Sequence, residues 1–167
     1  MHHLQTLAVR RRIVMLLGAS TLALVFGNAA AAEPPITTLK AGLFGGRSDT
    51  AILGYDPVAY FTDGKPLKGA DAFSTDWMGA KWRFASQSHL DLFKSNPEKY
   101  APQYGGYCAY GVAQDNLVKI EPDKFKVIDG KLYLNDDAEV QRLWLKDPGG
   151  FIKQADAKLR ALLKQQP

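Results

Sequence analysis

The stretch Tyr104-Gly105-Gly106-Tyr107-Cys108-Ala109-Tyr110-Gly111 concentrates the residue types that can do chemistry in this 167-residue chain. It holds the only cysteine, three tyrosines and three glycines. A lone thiol in such a loop is either a reactive or ligating group or a small buried hydrophobe. No Lys, Arg or His lies within six positions of Cys108, so an activating charge has to arrive through space. Apart from His2 and His3, the only histidine is His89, one helical turn before Phe93. Cys108 and His89 can supply two ligands to an ion and Asp56 a third, a weak, open set that suits copper or zinc. Tyr55, Asp56, Tyr107, Cys108 and Tyr110 are the candidate lining of a small-ligand site. Each has a structural alternative. Asp56 precedes Pro57, where a carboxylate caps nearby backbone N–H groups, and tyrosines pack in cores with the hydroxyl satisfied. The thiol is expected to be partly accessible. A redox protein cycling Cys108 through a sulfenic acid is the competing function, and an inert scaffold the third.

Other chemistries find no support. The chain has no Cys-x-x-Cys pair, no Gly-x-Ser-x-Gly elbow, no phosphate loop and no His-Glu-x-x-His. A non-catalytic binding module is therefore favoured over an enzyme. One cysteine excludes an intramolecular disulfide.

The start of the chain reads as an address. Arg10-Arg11-Arg12 precedes an apolar run from Ile13 to Gly27, and small residues follow at Ala30 and Ala32. This is the order of a secretory signal peptide over residues 1–32, cleaved after Ala32. The general secretory route is favoured over the twin-arginine route, giving a periplasmic or secreted protein. No membrane span would remain after cleavage. Lys and Arg number 21 against 17 acids, and three of those arginines fall within the signal. The remainder is near neutral without a basic stripe, which argues against a nucleic-acid partner.

Residues 33–50, with Pro34, Pro35, Gly42, Gly45 and Gly46, read as a flexible arm, and residues 51–164 as one small α+β domain. The stretch from Gly54 to Phe61 is short and β-prone. Phe73 to Trp77 and Lys81 to Phe84 read as one hairpin, and Lys126 to Leu134, turning at Asp129-Gly130, as a second. A short helix between them is capped by Ser86 or Ser88 and ends at Asn96-Pro97. Two C-terminal helices, Ala138 to Leu145 and Phe151 to Lys164, are expected on either side of Asp147-Pro148-Gly149-Gly150. Phe151, Ala155, Leu159 and Leu162 form an apolar stripe suited to core packing. No internal repeat is evident from the residues.

Gly54-Tyr55-Asp56-Pro57-Val58-Ala59-Tyr60-Phe61, the Gly79 turn, Trp82-Arg83-Phe84-Ala85-Ser86, Phe93-Lys94-Ser95-Asn96-Pro97-Glu98-Lys99-Tyr100 and the Cys108 loop together resemble the YHS domain family. From about Ala51 to Lys158 the chain is similar to exported bacterial YHS domain proteins, some of which carry selenocysteine where this chain has Cys108. The resemblance implies a small α+β fold and raises the prospect of redox or metal work at Cys108. YHS domains attached to copper-transporting ATPases are thought to bind heavy metal through cysteines. Those thiols align with Ala59, Ala85 and His89, so that thiolate set is absent from this chain.

Overall fold

In a computed structural model, residues 49–164 are described. The expected signal peptide and nearly all of the arm lie outside them. The described residues are mixed α and β, as expected: two antiparallel hairpins and six helices.

Strands β1 (Ala70–Trp77) and β2 (Ala80–Phe84) form the first hairpin, and β3 (Glu121–Ile128) and β4 (Lys131–Asn135) the second. Both turns are two residues long with positive φ throughout: Met78 and Gly79 at 50° and 76°, Asp129 and Gly130 at 50° and 71°. That geometry matches the right-handed twist of the flanking strands. Helix α1 (Ala59–Thr62) replaces the expected β-prone stretch. The Asp56 carboxylate captures the first free N–H groups and turns the chain into a helix, leaving Tyr55 in an isolated bridge with Lys68.

Helix α2 (Gln87–Ser95) starts at Ser86, whose hydroxyl accepts from the His89 N–H at 3.2 Å. It ends at Asn96, which in turn caps α3 (Pro97–Tyr100). After α4 (Ala109–Ala113) and the second hairpin come α5 (Ala138–Trp144) and α6 (Pro148–Leu163). Helix α6 begins three residues earlier than the residues suggest. Asp147 accepts from the Gly150 N–H at 2.9 Å, and Pro148 occupies the first helical position, where its missing N–H costs nothing. A Cβ at position 150 would lie 2.1 Å from the Asp147 carboxylate, so glycine here permits the cap.

Two stretches of backbone share a series of local features. A 3-10 turn at Ala51–Gly54 and another at Gln103–Gly106 each carry three consecutive left-handed residues, Ile52 to Gly54 and Tyr104 to Gly106. Each follows an isolated parallel bridge to a second strand, Thr50 with Lys81 and Pro102 with Leu132. Each leads to a short helix and then to an eight-residue strand paired with a five-residue one. Both ladders are irregular at the same place, between Ala70 and Ser74 and between Glu121 and Phe125. Ser86 and Asp137 cap the helices that follow, and Asn96-Pro97 and Asp147-Pro148 open the next ones.

The two hairpins share a core. Trp82, Phe84, Phe93, Cys108, Leu132 and Leu134 belong to one buried cluster. Tyr60 ties the halves together, with its ring 4.8 Å from Phe125 and its hydroxyl donating to the Pro122 carbonyl at 2.9 Å. A second cluster holds Tyr104, Tyr133, Trp144, Ala155 and Leu162. Phe151 and Leu159 pack against it, so the C-terminal stripe is core. No helix among the described residues is long and apolar enough to cross a membrane.

Candidate functional site

Asp56 is fully buried, and its carboxylate is the hub of the first half. Oδ1 accepts from the N–H groups of Val58 at 2.8 Å and Ala59 at 3.4 Å, the capping role that Asp-Pro suggests. Oδ2 accepts from the Ala85 N–H at 2.8 Å, tying the end of β2 to the start of α1. The same oxygen lies 2.6 Å from His89 Nδ1. An oxygen that already receives a backbone N–H is placed to accept again, so Nδ1 donates and the lone pair of a neutral ring falls on Nε2.

His89 is positioned from two directions. Its backbone N–H is fixed by the Ser86 cap, and its ring is held by Asp56. Its side chain is 14 % exposed, with Nε2 3.3 Å from Thr62 Oγ1 and 3.6 Å from Asp63 Oδ2. The Thr62 hydroxyl is also 2.7 Å from Asp63 Oδ2. The outer nitrogen therefore faces a hydroxyl and a second carboxylate at the surface. Thr62 and Asp63 escape a reading of the residues, since nothing in Thr62-Asp63-Gly64 signals a partner 26 or 27 positions away.

The three positions where the family resemblance places thiols gather around Asp56. Ala59 and Ala85 each donate an N–H to it, and His89 donates through its ring. A thiolate site does not fit, because two of those positions offer only methyl groups. A harder centre fits better. An imidazole held by a carboxylate at its far nitrogen is the usual arrangement of a metal-ligating histidine. Two ligands of one tetrahedral ion lie about 3.4 Å apart, close to the 3.6 Å between His89 Nε2 and Asp63 Oδ2. With Asp56 on the opposite side of the ring, His89 and Asp63 are the two strong donors facing that point among the described residues, with the Thr62 hydroxyl beside them. Among the described residues no group of three or more His, Cys, Asp or Glu side chains is placed to hold a metal ion.

Cys108 lies in the second half and is fully buried, which corrects the expectation of a partly accessible thiol. It is the N-cap of α4: Sγ accepts from the Gly111 N–H at 3.3 Å and donates to Asn135 Oδ1 at 3.8 Å. Asn135 Oδ1 also accepts from the Tyr110 N–H at 3.4 Å. Burial pushes the thiol pKa up, against the pull of the N–H groups of Gly111, Asp136 and Tyr110. Iodoacetamide at pH 8 should therefore leave Cys108 unmodified in native protein and add one label in denaturant, read by intact mass. Native labelling at the rate of a free thiol would contradict this burial.

The tyrosines divide. Tyr55 is half-buried beneath Lys68, whose Nζ is 4.4 Å from the ring centre. Tyr107 and Tyr110 pack against the second cluster, Tyr110 with its ring 5.1 Å from that of Phe151. Tyr104 is buried and donates to Asp156 Oδ1 at 3.0 Å; burial, with that acidic partner, raises its pKa. Asp56 and His89 are thus brought together, while Cys108 bonds to a different set of partners.

Among known families, the YHS domain matches residues 58–104, a span that contains His89 and ends before Cys108. No curated protein and no solved structure matches the chain.

Proposed function

We propose that the protein is a non-catalytic metal-ion binding module whose contact with the ion is His89 Nε2, with Asp63 beside it and Asp56 as the orienting carboxylate. The single observation that carries this is the 2.6 Å bond from His89 Nδ1 to the buried Asp56 carboxylate. It fixes the ring and leaves the outer nitrogen facing a second acid. The YHS match supports the assignment, since domains of this family are linked to metal binding. A nitrogen and oxygen donor pair suits Zn(II) or Cu(II) better than Cu(I), which prefers sulfur. With two protein ligands the remaining positions go to water or to a small exchangeable ligand, as expected of a site that hands its ion on.

Calorimetric titration of the purified protein with zinc chloride and with cupric chloride tests the proposal. One equivalent is expected. His89→Ala should abolish it, Asp56→Asn should weaken it by about 10- to 100-fold, and Cys108→Ser should leave affinity unchanged. Binding that survives His89→Ala, or that disappears with Cys108→Ser in a folded protein, would overturn the assignment.

A further inference from the structure

We infer that the second half of the chain, from Pro102 onward, is a tandem copy of the first, in which Cys108 occupies the place of Asp56 and Val140 the place of His89. The correspondence runs residue by residue. Gly54-Tyr55-Asp56 matches Gly106-Tyr107-Cys108, each following left-handed residues. The Asp56 N–H donates to the Leu67 carbonyl, and the Cys108 N–H to that of Val118. Met78-Gly79 and Asp129-Gly130 lie 51 residues apart, as do the caps Ser86 and Asp137 and the pairs Asn96-Pro97 and Asp147-Pro148. The offset is 52 ahead of the short helix, so the second copy is one residue shorter between that helix and its hairpin.

The side chains at the centre of each copy do the same work. Asp56 accepts from Ala59, the first residue of its helix, and from Ala85, the residue after β2. Cys108 accepts from the first turn of its helix, at Gly111, and donates to the side chain of Asn135, the last residue of β4. Each thus pins a helix start to a strand end, and each is fully buried. His89 donates its N–H to the Ser86 cap, and Val140 donates its N–H to the Asp137 cap at 2.8 Å. Val140 packs against the cluster that contains Cys108. The second centre keeps the scaffold and lacks the imidazole. Cys108 is accordingly a positioning residue, and the difference between His89 and Val140 decides which half can present a ring nitrogen. One further feature marks the second centre: Asn135 is fully buried, and its Nδ2 has no partner among the described residues, a donor available to an acceptor stronger than a thiol.

A double-mutant cycle on the full chain tests the equivalence without reference to any metal. Cys108→Asp alone buries a carboxylate near Asp136 that can gain the Asn135 amide but has no cationic or imidazole partner, and should lower the thermal midpoint. Val140→His alone should lower it too, by setting a polar ring against an apolar cluster. Together they rebuild the Asp56–His89 pair, so adding Val140→His to Cys108→Asp should raise the midpoint by about 3 °C or more. If Cys108→Asp is unfolded, recovery of a cooperative transition in the double variant gives the same answer. A double variant no more stable than Cys108→Asp overturns the inference.

Discussion

Asp56→Ala is expected to cost about 3–5 kcal/mol of folding stability. The methyl group would leave without an acceptor the N–H groups of Val58, Ala59 and Ala85 and the ring nitrogen of His89. A buried donor stranded in this way costs about 1–3 kcal/mol, and the penalties are not additive because the freed segments relax together. The loss approaches the whole stability of a small domain, roughly 5–15 kcal/mol. Asp56→Asn is the informative control. Its carbonyl can still serve Val58 and Ala59, and the imidazole can switch tautomer to accept from the new amide. Only the Ala85 bond is then lost, about 1–2 kcal/mol. Urea unfolding of the three proteins should rank wild type above Asp56→Asn above Asp56→Ala. A cost below about 1 kcal/mol for the alanine variant would remove Asp56 from the centre of the fold.

Trp82→Ala should cost a comparable 3–5 kcal/mol, through cavity formation rather than lost polar contacts. Trp82 is fully buried on β2, with its ring 5.8 Å from that of Trp77 and 5.1 Å from that of Phe93. Phe93 also lies 5.1 Å from Phe84, so a cavity here undercuts both the hairpin and the helix that carries His89. A conservative change separates volume from hydrogen bonding. Trp82 Nε1 donates to the Trp77 carbonyl at 3.1 Å, whereas Trp144, equally buried, has no partner for its Nε1 among the described residues. Trp144→Phe removes an unsatisfied group and should cost less than Trp82→Phe, by about 1 kcal/mol. Denaturant midpoints of the two phenylalanine variants check the order, and a reversed order would contradict the hydrogen-bond assignment.

The local devices were legible in the residues because their physics is local. Asp129-Gly130 and Met78-Gly79 can adopt paired positive φ angles, so both hairpins follow from a few adjacent positions. Ser86 and Asn96-Pro97 bound α2 for the same reason. Asp147 and Pro148 together initiate α6 at a place where Pro and the glycines suggest only a break. The stretch after Gly54 reads as β-prone because its residue types favour strands, while one carboxylate bonded to two N–H groups makes it helical.

What the residues could not decide is which side chains meet. Cys108, His89 and Asp56 stood out by type, and type alone suggested a shared site. Only the packing brings Asp56 to His89 across 33 positions and turns Cys108 toward Gly111 and Asn135 instead. Burial behaves likewise. A glycine-flanked thiol looks accessible in the sequence, but its exposure depends on β4 and α4 closing over it, and those contacts are long-range. The duplication lay deepest, because backbone hydrogen bonding and left-handed turns tolerate many side chains. The sequence by itself determined the turns, the caps and the amphipathic stripe, where neighbouring residues supply the energy. The tertiary structure alone decided the Asp56–His89 pair, the buried thiol and the two-fold repetition, since each rests on free energy gained between segments far apart in the chain.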